Sequence, residues 1–292
     1  MSETFAIGAA LCIAISGMLI GELKGRVDVF RLARWQMLAA LAMTGAVSLA
    51  LGGWRTVGTA QLGLLAASSL FGIVIASTTY FAAIYKAGPR NTALLFSLTS
   101  PFALALGYIF LGETISRQQG LGIGLVLAGI VLAIGLPGRG AARLPQAGTP
   151  WAGIALGVIT ALGQALGSLL ARPAMAAGVE PFTAMAVRSG LAAVVFIVIA
   201  ILPVAAINRP YQFSYRDLGF GIGAALFGTC LGMSLLMAAL AQGHVGIVST
   251  LSSMTPVVIL PMVWWRTGTA PPVSAWIGAM LAVVGTGLIS LQ

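Results

Sequence analysis

The chain has 292 residues, of which 59% are hydrophobic and only 7% charged, with a formal net charge of +9 and a mean hydropathy of +1.03. A soluble domain is about a quarter charged, so this chain has too few polar side chains to cover a water-facing surface, and lipid is the fitting solvent. Its 15 Lys and Arg are scattered without a run, which argues against a nucleic-acid-binding face and fits arginines flanking membrane spans.

Apolar stretches long enough to cross a hydrocarbon core about 30 Å thick fall near 4–21, 33–52, 60–86, 90–111 and 117–136. A second set falls near 151–172, 182–205, 214–241, 245–266 and 273–291. No basic n-region precedes the apolar run at Phe5, so no cleaved signal peptide is expected. Glu22, Lys24 and Arg26 follow span one, and Arg34 opens span two. Span three carries Ser68, Ser69, Ser77, Thr78, Thr79, Tyr80, Phe81 and Tyr85. Span four carries Asn91, Thr92, Phe96, Ser97, Thr99, Ser100, Pro101 and Phe102. Glu113 ends it and suits the N-terminus of span five, with Arg117 as an ion-pair partner.

Span five, with Gly120, Gly122, Gly124 and Gly129, and span ten, with Gly278, Gly285 and Gly287, are apolar with small-residue faces. Such faces let helix backbones approach closely, within one chain or between the chains of a homodimer. Between the two sets, residues 137–150 carry Pro, Gly and Arg and read as a linker. Thr160, Gln164 and Ser168 lie in span six, and Arg188 lies a turn or two inside span seven as the most buried basic candidate. His244 sits in the turn between spans eight and nine and reads as interfacial. Span nine holds Ser249, Thr250, Ser252, Ser253, Thr255 and Pro256. Cys12 and Cys230 fall inside apolar segments and read as small core or lipid-facing residues.

The two sets are copies. Leu62-Gly63, six residues and Leu70-Phe71-Gly72 recur as Leu218-Gly219, six residues and Leu226-Phe227-Gly228. Gly88, Ser97 and Pro101 return with unchanged spacing as Gly243, Ser252 and Pro256. The expected domains are therefore a first repeat at 1–136, the linker at 137–150 and a second repeat at 151–292. Five crossings end on the side opposite to where they began, so the second copy is expected upside down. The fold class expected is an all-α integral membrane protein of ten transmembrane helices, arranged as two inverted-topology five-helix repeats. Strands are not expected, because the segments are long and lack period-two alternation.

Pro101 and Pro256 fall about halfway along their spans, at the bilayer midplane. A mid-helix proline frees the carbonyl four residues earlier, here that of Ser97 and of Ser252, so kinks are expected at both. Such kinks are tolerated at membrane depth where protein or a wet cavity satisfies the freed groups. Hydroxyls on membrane helices often bond their own i−4 carbonyls or join helices. Clustered on repeat-paired spans, they favour a cavity for a neutral or zwitterionic solute. No Asp or Glu lies mid-span, so a carboxylate for proton coupling is missing, and exit down a gradient stands beside proton antiport. With one His and no metal-ligand cluster, Walker loop or nucleophile–base set, no enzyme activity, metal or cofactor is expected.

Leu111-Gly112-Glu113-Thr114, the Gly-rich run closing on Ala128-Gly129-Ile130-Val131-Leu132, Arg34, Leu70-Phe71-Gly72 and Gly88…Ser97-x3-Pro101 resemble an EamA-type domain. Such domains build ten-helix carriers of the drug/metabolite transporter superfamily, and this chain looks most like the YddG-like aromatic amino-acid exporters. One departure stands out: where the first copy has Glu113, the second reads Trp265-Arg266-Thr267-Gly268-Thr269, without an acid. The resemblance implies a central cavity lined by spans one, three, four, six, eight and nine. It also implies both termini in the cytoplasm, whereas the loop arginines by the positive-inside rule put them outside.

The function expected is a bacterial inner-membrane carrier exporting aromatic or other hydrophobic amino acids by alternating access. Efflux of lipophilic drugs or cations is the alternative, and a membrane scaffold is the non-transport one. Its partners would be the amino-acid substrate and the lipid bilayer. Tyr80, Tyr85 and Phe96 would supply apolar contacts to the substrate; Ser97, Ser100, Gln164, Ser252 and Thr255 would hold its polar groups. Pro101 and Pro256 would hinge the site, with Glu22, Arg34 and Arg188 as the charged candidates.

Overall fold

Runs of Ala, Leu, Ile, Val and Gly that lack alternation leave backbone hydrogen bonds nowhere to go in lipid except within a helix. The computed structural model describes residues 2–111, 115–135, 150–201, 212–242 and 255–290, and every regular element among them is helical. Glu113, most of the linker, His244, Ser249, Thr250, Ser252 and Ser253 lie outside the described residues.

The first copy comprises α1 (Ser2–Glu22), α2 (Val29–Leu51), α3 (Thr59–Ser69), a π-helical segment π1 (Leu70–Ile75), α4 (Ala76–Phe96), α5 (Thr99–Leu111) and α6 (Arg117–Gly135). The second comprises α7 (Pro150–Ala176), α8 (Pro181–Ile201), α9 (Tyr215–Ala224), a second segment π2 (Ala225–Gly232), α10 (Met233–Gln242), α11 (Thr255–Thr267) and α12 (Val273–Ser290). Gly88 breaks α4 with φ +81 and ψ 162, a conformation that costs glycine nothing, and Pro89 follows it. The 38 residues Thr59–Phe96 thereby become one crossing and the start of the next. The outer faces stay apolar and exposed at Leu49, Phe110, Leu121, Val131, Val198 and Ile201, as a lipid-facing surface requires. The protein is a ten-helix membrane protein of two inverted five-helix repeats.

The inversion is visible in side-by-side glycines. A Cβ on Gly122 would stand 2.6 Å from the Gly285 carbonyl oxygen, and one on Gly129 would stand 2.5 Å from that of Gly278. Residue numbers rise along α6 as they fall along α12, so these repeat-equivalent helices run antiparallel. The glycine faces of spans five and ten therefore close on each other inside the chain. α2 and α8 are antiparallel too, since Ser48 bonds Thr183 and Leu41 packs on Gly190. Other contacts swap between copies: α1 packs on α9, π2 and α10, while α7 packs on α3, π1 and α4. α2 against α8 and α6 against α12 complete the pseudo-twofold.

Polar residues gather at the ends. Asp28 caps α2 by accepting from the Arg31 N–H at 2.9 Å, and Glu180 caps α8 by accepting from the Phe182 and Thr183 N–H groups at 2.9 and 2.6 Å. At one end two ion pairs join the copies: Arg266 forks onto both Glu22 oxygens at 2.8 and 2.9 Å, and Arg26 meets Asp217 at 3.1 Å.

The proline expectation is corrected. The helix around Pro101 is interrupted at Ser97 and Leu98 and restarts at Thr99, which puts Pro101 in the first turn of α5. There its missing N–H is no loss. The Ser97 carbonyl is not orphaned, because the Ser100 N–H donates to it at 3.4 Å. For Pro256 the preceding residues 243–254 lie outside the described ones, so the correction concerns Pro101.

Candidate functional site

Each copy turns π-helical at its Leu-Phe-Gly landmark. A π turn widens the helix, costs regular hydrogen bonding and occurs frequently at functional sites. Ser68 and Ser69 hold the first to the second copy, donating to the Gly167 carbonyl at 2.6 Å and the Arg188 carbonyl at 2.6 Å. Ser16 holds the second to α1, donating to the Ala224 carbonyl at 2.8 Å. Between the two segments lies a cavity lined by residues of both.

Its wall is built by both copies. Gly72, Ile73 and Ser77 line it from the first, and Gly228, Thr229 and Met233 occupy the same repeat positions in the second. Tyr80, Phe81 and Phe96 form an aromatic side, with Tyr80 edge-on to Phe81 at 6.1 Å and to Phe96 at 6.0 Å between centroids. Ile13, Ile20 and Met185 add apolar surface, and Ser16, Gln36, Thr160 and Gln164 supply the polar groups. No carboxylate lines it among the described residues.

The expected site residues separate into groups. Tyr80, Phe96 and Gln164 line the cavity; Ser97, Ser100, Thr255, Pro101 and Pro256 are buried away from its wall. Tyr85 is off the wall as well, with its hydroxyl buried and unpartnered among the described residues. Glu22 belongs to the ion pair with Arg266 at the helix end, and Arg34 is half-buried outside the cavity. Ser252 lies outside the described residues. Several hydroxyls of spans three and four are spent locally, Thr78 on Val74, Thr92 on Gly88 and Thr99 on Phe96 carbonyls.

Arg188 is fully buried, and among the described residues its guanidinium bonds only Met185, from Nη1 to Sδ at 3.4 Å. Gln36 was missed by sequence reading, although a signal exists. Leu32, Ala33, Gln36, Met37, Ala40 and Thr44 form the buried face of α2. Ala184, Met185, Arg188, Ser189, Ala192 and Phe196 repeat that spacing on α8. Gln36 and Arg188 thus each lie on the buried face of their helix, among apolar neighbours.

The EamA-like transporter family matches the chain twice, at residues 1–135 and 151–291. A relative, the uncharacterized transporter sll0355 of Synechocystis, is 29% identical over 132 residues, which are 44% of this chain and 40% of that protein. The chain thus aligns with less than half of that relative's length. A solved crystal structure covers 97% of this chain and 94% of its own, with a TM-score of 0.69 at 18% identity, a likeness of fold.

Proposed function

Because the chain belongs to the EamA-like transporter family, we propose that it exports hydrophobic and aromatic amino acids across a bacterial inner membrane through the cavity between its copies. The observation that carries this reading is the wall itself. Tyr80, Phe81 and Phe96 share the wall with neutral polar groups at Ser16, Ser77, Gln36 and Gln164. That pairing suits a solute with an apolar body and a polar head. Efflux of lipophilic cations, the competing reading, calls for an acid in the wall, and none lines it among the described residues. Purified protein in liposomes is expected to flux phenylalanine and tryptophan down a gradient; no flux of either removes the reading.

Export requires the halves to rock. The Glu22–Arg266 and Arg26–Asp217 pairs both join copy to copy at one end, so opening that end breaks them. The Glu22–Arg266 pair, with Arg266 more than half exposed, contributes little to stability, yet a small bias is enough to shift a two-state equilibrium. Glu22→Gln is expected to speed exchange roughly twofold with its melting temperature almost unchanged. Unchanged exchange would show that this end does not limit the cycle.

A further inference from the structure

Arg188 has no exposed surface, and neither its Nε nor its Nη2 has a hydrogen-bond partner among the described residues. A guanidinium carries five N–H donors and stays charged, so burying it without an anion is among the costliest arrangements a fold can keep. The acids whose side chains are described are committed elsewhere: Glu22 to Arg266, Asp28 to the start of α2 and Arg31, Glu180 to the start of α8, Asp217 to Arg26. Loosened backbone in the adjacent π segment does not satisfy Nε or Nη2 either.

The guanidinium lies one layer beneath the cavity floor. It touches Met185, which lines the cavity, and a Cβ on Gly72, also a lining residue, would stand 2.8 Å from Nη2. On the same side Gly72 abuts Gly167 of α7, one turn from Gln164. The Gln164 Nε2 lines up with the same need: it is buried and unpartnered among the described residues, on a residue of the cavity wall. Two donor groups, one of them permanently cationic, therefore flank a floor residue that has no side chain.

We propose that Arg188 and Gln164 form an anion subsite behind Gly72 that takes the carboxylate of the transported solute. Resting on the reading of this cavity as the solute site, the assignment adds a selection rule: solutes are accepted as carboxylates, and the aromatic wall receives what the carboxylate carries. Glycine at 72 lets π1 pack directly against both the guanidinium and Gly167, so no side chain separates Arg188 from the floor residue. A carboxylate there supplies the charge and acceptors that the resting protein lacks.

The probes are 3-phenylpropionate and its neutral isostere 3-phenylpropanamide, read as ligand-induced shifts in the melting temperature of purified protein. The wild type is expected to bind the acid at least ten times more tightly than the amide, and Arg188→Met to bind the two alike. Without ligand, Arg188→Met is expected to melt at the wild-type temperature or above, since it removes an unpaired charge; a structural arginine would instead lower it. Arg188→Lys is expected to keep part of the preference for the acid. Equal binding of acid and amide by the wild type, binding of neither, or an intact preference in Arg188→Met overturns the subsite. Phenylalanine flux separates this from the export reading: flux that survives Arg188→Met undiminished counts against the subsite alone. Absent flux with an intact acid preference counts against export alone.

Discussion

Gly129→Ala is expected to destabilise the protein by about 2–3 kcal/mol, whereas Gly124→Ala, five residues away on the same helix, is expected to be silent. Both add one methyl group, and the difference lies in what the group meets. The new Cβ at 129 would stand 2.5 Å from the Gly278 carbonyl oxygen and 2.9 Å from the Ala282 nitrogen, both backbone atoms of α12. Neither has a rotamer to change, so α6 and α12 must separate along their length. In lipid these helices are held together by dispersion across a close backbone approach, and parting them brings no hydrophobic gain in return. At Gly124 nothing lies within 4 Å. Adding Gly278→Ala to Gly129→Ala is expected to cost less than the sum of the two, because both act at one interface already opened. Thermal unfolding in detergent measures all four proteins, and equal melting of Gly129→Ala and Gly124→Ala would refute the close packing of α6 on α12.

The glycine contact is legible in sequence because small residues at helical spacing in an otherwise apolar span have few other uses. The duplication was legible for the same reason, as landmarks survive at a fixed offset, and crossing parity then fixed the inversion. The π segments were not. Leu70-Phe71-Gly72 and Leu226-Phe227-Gly228 have the composition of any membrane helix, and each widened turn lies against the other copy, Gly72 on the Gly167 backbone and Gly228 on Ser16. No local propensity encodes such a contact.

Hydroxyl content was a blunt guide to the wall for a similar reason. Thr78, Thr92 and Thr99 answer their own helices, and Ser68 and Ser69 bond across helices, so abundance did not separate wall from filler. Single amides proved sharper. Gln36 and Gln164 each stand among apolar neighbours, where an amide without local partners has most reason to face a cavity, and both do. Pro101 misled because its position within an apolar run says nothing of where the helix restarts. Beginning α5 at Thr99 places the ring where a helix accepts it freely.

The crossing of π1 over α7 leads to the second large effect. Gly167→Ala is expected to cost about 2–3 kcal/mol and to reduce transport at least tenfold, while Gly228→Ala, at the matching crossing in the other copy, is expected to be mild and reversible. A Cβ on Gly167 would meet the Gly72 Cα, with its nitrogen at 2.8 Å and the Ser68 carbonyl oxygen at 3.2 Å. All three are backbone, so π1 must move away from α7. That movement pulls Ser68 from the Gly167 carbonyl and Gly72 from the cavity floor. At Gly228 the obstacles are only the Oγ and Cβ of Ser16. Removing that side chain clears the space and gives up one hydrogen bond to the Ala224 carbonyl. Ser16→Gly is therefore expected to restore stability and flux to Gly228→Ala, whereas no substitution at a neighbouring side chain restores Gly167→Ala, because the group in its way is the chain itself. Rescue of both, or of neither, would show that the two crossings do not differ in the way their contacts require.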